Sequence, residues 1–169
     1  APTCAKAKNL SIKELTLKDV TLTWALEEGK GAAAENYKIT ILNAEKEVVY
    51  TTTTAVTPVE GVYTYKCELA ENKQFDYATY TYTIQGICGE DDEAAVAENN
   101  FTIKCANPTN LKVDGIGLDE AKISWEVDAT TGIVSSNFYL TVVDVKEKDT
   151  ILLDQPVEGL SYEFVSGAE

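Results

Sequence analysis

A single offset organises this sequence. Shifted by 101 residues, Cys4-Ala5-Lys6-Ala7-Lys8-Asn9-Leu10 falls on Cys105-Ala106-Asn107-Pro108-Thr109-Asn110-Leu111. Without a gap, the same shift puts Leu17 on Leu118, Leu22 on Ile123 and Trp24 on Trp125. It also puts Asn36-Tyr37-Lys38-Ile39-Thr40-Ile41 on Asn137-Phe138-Tyr139-Leu140-Thr141-Val142. Agreement in four separate segments at one offset marks a duplication. The chain of 169 residues therefore divides into a first copy, residues 1–104, and a second, residues 105–169, about two-thirds as long.

Within each copy the hydrophobic period is two, not 3.6, which is the period of a half-buried strand. Val20, Leu22, Trp24 and Leu26 alternate with Thr21, Thr23 and Ala25. Tyr37, Ile39 and Ile41 make a second run, Tyr63, Tyr65, Cys67 and Leu69 a third, and Tyr80, Tyr82, Ile84 and Gly86 a fourth. Phe101 and Ile103 close the set. Turn-forming clusters separate the runs: Glu28-Gly29-Lys30-Gly31, Thr57-Pro58, Glu60-Gly61 and Gly89-Glu90-Asp91-Asp92. The run Ala32-Ala33-Ala34-Glu35 has the composition of a helical turn, but it follows two glycines and reads better as loop. Thr51-Thr52-Thr53-Thr54 reads as an edge strand, since Thr favours β structure. About seven short strands per hundred residues predict an all-β chain of antiparallel sandwiches.

The succession Asn9-Leu10-x-Ile12, Val20-x-Leu22-x-Trp24, Tyr37-x-Ile39-x-Ile41 and Tyr80-x-Tyr82-x-Ile84-x-Gly86 resembles the fibronectin type III module, a relative of the immunoglobulin-like sandwiches. The second copy resembles it over strands A to E, through Asn110-Leu111, Ile123-x-Trp125, Phe138-x-Leu140-x-Val142 and Tyr162-x-Phe164. The resemblance implies that Trp24 and Trp125 are core residues and that Tyr80 forms a corner tying a loop to the sandwich. The long stretch between Leu69 and Tyr80 departs from the family, which has a short Pro-Gly turn there. Cys105-Ala106-Asn107-Pro108 is similar to the opening of tandem modules in secreted and surface proteins of Bacteroides-like bacteria. Cys4-Ala5-Lys6-Ala7 keeps the Cys and lacks the Pro.

In such a sandwich the start of strand A and the end of strand F share a pole, which implies a Cys4–Cys88 disulfide. A second pair, Cys67–Cys105, would lie at the opposite pole. Against it, Cys105 is the repeat of Cys4, whose natural partner is an F-strand cysteine. At the 101 offset Cys67 also falls on Ala168, so Cys67 reads equally as a buried free thiol. Glu169 falls on Glu68, near the end of strand E, so strands F and G of the second copy are not in the sequence. Three readings follow. The parent polypeptide continues, the missing strands come from another chain by strand addition, or the second copy closes in another form.

Composition excludes several functions. Of 42 charged residues, 28 are Asp or Glu and all 14 cations are lysines; there is no His and no Met. Without His there is no Ser-His-Asp triad, no Cys-His dyad and no His-bound zinc. A net charge of −14, shared by both copies, opposes nucleic-acid binding. No run of 18 apolar residues predicts a membrane span. The chain opens Ala1-Pro2-Thr3, as after removal of a signal peptide or trimming. No cofactor motif is visible.

The remaining site candidates each have a plainer structural explanation. Glu90, Asp91, Asp92 and Glu93 could hold Ca²⁺ in an F–G loop, but their spacing is not that of an EF-hand; a solvated acidic loop explains them equally. Asp114-Gly115-Ile116-Gly117-Leu118-Asp119-Glu120 reads as a turn. Phe75 and Tyr77 lie off the strands, where exposed aromatics could meet a sugar; the other tyrosines between 63 and 82 read as core. Asp149-Thr150-Ile151 resembles the short acceptor of bacterial O-glycosylation, with Thr150 as the acceptor. Asn9-Leu10-Ser11 and Asn100-Phe101-Thr102 are N-glycosylation sequons, relevant in a eukaryotic source. The expectation is a non-enzymatic extracellular or cell-surface module, a spacer or an adhesion and binding segment, with two sandwiches joined at residues 104–109. The alternatives are a filament subunit self-associating through its open second copy, and a carbohydrate-binding accessory module. The protein or glycan partner is not readable.

Overall fold

The structure is a computed structural model that describes residues 4–89, 92–117 and 120–165. Its elements are strands: β1 (Ala7–Leu15), β2 (Asp19–Leu26), β3 (Asn36–Leu42), β4 (Val48–Thr54), β5 (Tyr63–Glu68), β6 (Thr79–Gly89), β7 (Asp92–Glu93) and β8 (Ala97–Thr102) in the first unit. β9 (Asn107–Asp114), β10 (Glu120–Asp128), β11 (Asn137–Val143), β12 (Thr150–Glu158) and β13 (Ser161–Val165) follow in the second. Two compact units divide between Lys104 and Cys105.

In the first unit one sheet has the order β1-β2-β5 and the other β4-β3-β6-β7, with β8 also on β6. All these pairs are antiparallel. This is the strand order of a fibronectin type III sandwich. The period-two residues meet between the sheets: Val20, Leu22, Trp24, Tyr37, Ile39, Ile41, Tyr82 and Ile84 are buried. Trp24 stacks on Tyr63 at 5.6 Å and meets the edge of Tyr37 at 5.3 Å, the offset and edge-on contacts that aromatic rings favour. β4, carrying the four threonines, is the edge of its sheet. The Glu60-Gly61 turn has both residues at positive φ, as a tight hairpin turn requires.

The second unit has the sheets β9-β10-β13 and β11-β12. Its small core is Ile123, Trp125 and Val157, with Val127, Phe138, Leu140, Val142 and Tyr162 packed on it. Pro108, expected between the units, lies within β9 opposite Val127. β9 is an edge strand, where a residue without an N–H is tolerated.

Register corrects the gapless alignment. Leu22 pairs with Tyr65 and Val20 with Cys67; Ile123 pairs with Tyr162 and Ala121 with Phe164. Tyr162 is therefore the counterpart of Tyr65, and Phe164 that of Cys67, at an offset of 97 rather than 101. β12 shifts the other way, since Tyr37 pairs with Thr54 but Phe138 with Val157. The match of Cys67 with Ala168 and of Glu68 with Glu169 thus does not hold, because the β11–β12 hairpin is longer and the β12–β13 connection shorter. Spacing of apolar residues does not reveal such paired length changes.

Candidate functional site

The most constrained chemistry in the first unit is the pole where β1 starts and β6 ends. Cys4 bridges to Ala32 in parallel fashion, and the Ala5 N–H donates to the Ala32 carbonyl at 2.9 Å. Cys88, near the end of β6, is disulfide-bonded to Cys4 with Cα atoms 5.7 Å apart, inside the usual span. Its sulfur lies 3.9 Å from the carbonyl oxygens of Ala32 and Ala33. Gly86 is buried beneath this bond: a Cβ there would stand 2.9 Å from the Ala34 Cβ and 3.2 Å from the Cys4 Sγ. Its place in the alternating Tyr80, Tyr82, Ile84 series marks it as inward-facing. Only the fold shows that the space is already filled.

The second unit repeats half of this pole. Cys105 bridges to Ile133, and the Ala106 N–H donates to the Ile133 carbonyl at 2.8 Å. Cys105 is a free, exposed thiol. Cys67 is also free, but buried. The Cys67–Cys105 bond is therefore absent. Cys67 sits on β5 with its side chain in the sandwich core, whereas Cys105 belongs to the loop-bridging position of Cys4. Burial pushes the Cys67 thiol up to about 12, so it stays protonated and unreactive at neutral pH.

A second constrained point is Tyr80. Its hydroxyl accepts from the Asp76 N–H at 2.8 Å and donates to the Asp76 carbonyl at 3.4 Å. That pair of bonds ties the 70–78 loop to β6. Phe75 is 1% exposed, wedged edge-on against Tyr80 and Phe101 at 5.1 and 5.5 Å. The expectation that Phe75 is an exposed aromatic is overturned. Its N–H bonds to the Leu17 carbonyl at 2.7 Å, so a residue off the strands is nonetheless core. Tyr77 is exposed. Leu69 to Tyr80 thus replaces a short turn by a longer loop pinned by two aromatic rings.

Glu90 and Asp91 lie outside the described residues. Asp92 and Glu93 form β7, paired with Gly89 and Ile87, and Glu93 accepts a bond from Gln85 at 3.1 Å. Among the described residues no cluster of three carboxylates or thiols is placed to hold a metal ion. Thr150 opens β12 opposite Val143 and is exposed. In the sequons, Asn100 is exposed on β8. Asn9 is exposed with φ 54°, at a register shift of β1 against β2. Asn110 repeats this at φ 51°, with its side-chain amide donating to Glu126 at 2.6 Å. Asn tolerates the left-handed region better than most residues, so the repeated Asn-Leu pair was a legible signal for a strand irregularity. Another contact without a sequence signal is Asn99, whose amide donates to the Leu10 carbonyl at 2.9 Å and holds β8 beside β1.

No family model matches the chain, and no curated protein matches it. Solved structures do. A two-domain fibronectin type III segment of chicken tenascin is 14% identical, with 95% of this chain and 82% of that one covered and a TM-score of 0.46. The FN1–FN3 domains of chicken CNTN1 are 15% identical, with 98% and 58% covered and a TM-score of 0.43. The BSP domain of a biofilm associated protein is 17% identical, with 95% and 24% covered and a TM-score of 0.40. The class itself, all-β sandwich of the fibronectin type III kind, rests on the strand order of the first unit.

Proposed function

We propose that this chain is a pair of tandem, non-catalytic modules of an extracellular or cell-surface protein, acting as a spacer or binding segment. The Cys4–Cys88 disulfide carries the reading. Such bonds persist in oxidising compartments and are rare in the cytosol. This one closes nearly the whole first sandwich, with a sequence separation of 84. Residues in the sandwich interior are spent on packing, and the acidic surface disfavours anionic partners. A bacterial surface protein, as the Cys-x-x-Pro opening suggests, is one setting for such an array.

The test is the location and thiol state of the protein in its native source. Surface biotinylation of intact cells should label it, and alkylation before reduction should leave Cys4 and Cys88 unmodified. A cytosolic protein with all four thiols alkylated would overturn the reading. A carbohydrate-binding role lacks an aromatic row: Tyr77 and Tyr139 are the exposed aromatics among the described residues, one in each unit. The free edge of β11 favours a second reading, a filament subunit that receives a strand from another polypeptide. In that case native material would contain higher-order assemblies of the chain that persist when reductant is added, since strand pairing is not covalent.

A further inference from the structure

The outer strands of the first unit are guarded in different ways, with one exception. β1 carries Lys8, Lys13 and Glu14 and has two register shifts against β2. β5 carries Glu68 and Lys66, whose ammonium lies 3.2 Å from Asp19. β7 is two acidic residues long, and β8 is held beside β1 by the Asn99 bond to Leu10. Charge, bulges, short length and cover are the usual means of keeping an edge from pairing with another chain. β4 is also outermost in its sheet, and among the described residues no strand pairs with its outer side. Residues 48–59 contain no charge, in a chain of which 25% is charged. The single register shift of β4 falls at its start, where Val48 pairs with Leu42 and Tyr50 with Ile41. Its counterpart in the repeat shows the contrast. β12 is an outer strand too, but it carries Asp154 at φ 48°, Pro156 and Glu158, with two register shifts against β11.

We propose that β4 is a contact surface for a second copy of this chain, the two β4 strands pairing antiparallel about a twofold axis at Thr52. Such a contact must be complementary to itself, and this strand is. With the axis at Thr52, Thr51 meets Thr53 of the second copy and Tyr50 meets Thr54. Hydroxyl pairs and aromatic–β-branched pairs are those that stabilise neighbouring strands. β4 already makes one such contact with β3, between the Thr51 and Thr40 hydroxyls at 3.2 Å. The register uses the regular part of the strand, residues 50–54, and leaves out the irregular start. Charge favours this edge over the rest of a surface that carries a net −14. By the same register Glu47 falls opposite Thr57 and Lys46 opposite Pro58, so no like charges meet. The inward side chains gain cover as well. Ile39 and Ile41 are 0% exposed, but their neighbours on the edge, Thr52 and Tyr50, are only half-buried. This inference concerns the first unit and stands whether or not the extracellular reading does.

The experiment uses the 169-residue chain with Cys105→Ser, so that the exposed thiol forms no interchain disulfide. Sedimentation equilibrium from about 10 μM to about 1 mM covers the range of a weak contact. The expected result is a monomer–dimer equilibrium that strengthens as salt screens the two acidic surfaces. Amide exchange at 48–54 should slow as concentration rises, and exchange at 150–158 should not change. Thr51→Lys with Thr53→Lys puts like charges opposite each other at both outward pairs. It should weaken the dimer at least about tenfold, although it lowers the net negative charge. Thr51→Glu with Thr53→Glu should do the same. An equimolar mixture of the two variants should dimerise again, because opposite charges then face each other, and that recovery also shows that both variants fold. A parent chain that is monomeric at about 1 mM would overturn the proposal. So would a dimer that the lysines leave unchanged, a mixture that does not recover, or protection outside 48–54. Protection of 48–54 in native material by a different polypeptide would overturn the choice of occupant.

Discussion

The two units start from nearly the same residues and reach different degrees of closure. Trp24 is flanked by Tyr37 and Tyr63, whereas Trp125, among the aromatic rings of the described residues, meets Phe138 alone. The cause is local. Trp24 pairs with Tyr63 across β2 and β5. The shortened β12–β13 connection instead brings Leu160 to Trp125, whose N–H donates to the Leu160 carbonyl at 3.0 Å. Leu160 is itself exposed. The difference teaches that the B-strand tryptophan and its flanking pattern set the topology, while the density of the core depends on what the second sheet brings. In the first unit that sheet has β6 and β8; in the second, among the described residues, it has β11 and β12.

The chain has two tryptophans, one per unit, so each unit can be followed by its own fluorescence after replacing the other with Phe. The largest effect should come from removing the disulfide. Cys4→Ser with Cys88→Ser should destabilise the first unit by about 4–5 kcal/mol on the chain-entropy account, and urea unfolding reported by Trp125 should not move. A matched shift in both units would mean that they unfold as one body. Next, Ile39→Ala should cost about 2–5 kcal/mol, the usual range for emptying a packed site. Its counterpart Leu140→Ala should cost less, about 1–2 kcal/mol, because a partly buried side chain surrenders less burial. Equal costs would show that the second core is as tight as the first.

Gly86→Ala isolates the pole. The added methyl has no room beside Ala34 and Cys4, so a loss of about 1–3 kcal/mol is expected, smaller once the disulfide is reduced. A neutral result would refute the close approach. Tyr80→Phe removes the hydroxyl that satisfies the Asp76 N–H and should cost about 1–2 kcal/mol. Faster amide exchange at Asp76 would distinguish this loss from a general loosening.

Much of this was legible in the residues, and the failures share a cause. The alternation of Val20, Leu22 and Trp24, and of Tyr80, Tyr82 and Ile84, marks inward faces because a strand can bury only one side. Repetition added what one copy could not: Cys105 falls on Cys4 and Asn110 on Asn9, and the structure gives both members of each pair the same local geometry. Phe75 was misread because periodicity is silent in loops; its burial is fixed by Tyr80 and Phe101, residues distant in sequence or on another strand. Cys67 could not be matched correctly, since the gapless offset of 101 that holds through β11 does not extend past two changes in loop length that move β13 to an offset of 97. The depression beside Trp125 required coordinates, because it is lined by residues of three strands, β9, β10 and β11.

The smallest expected effect tests the register itself, through Cys67 and its true counterpart Phe164. A thiol pushed up to about 12 from an ordinary 9.0 binds its proton more tightly in the folded state than in the unfolded one. Its contribution is therefore fully present below about pH 9 and is lost as pH climbs through the window from 9 to 12. At pH 9.5 the loss should be roughly 1 kcal/mol, because the unfolded thiol ionises while the buried one does not. Tyrosines and lysines titrate in the same range, so the useful quantity is the difference in pH slope between the parent chain and Cys67→Ala, followed by Trp24. Cys67→Ala should flatten the slope. The second unit has Phe164 at this position, which cannot ionise, so Phe164→Ala should lower stability by the same amount at pH 7 and pH 9.5. An unchanged slope in Cys67→Ala would mean the thiol is hydrated in the folded state, and β5 would then not face the core as its pairing with β2 requires.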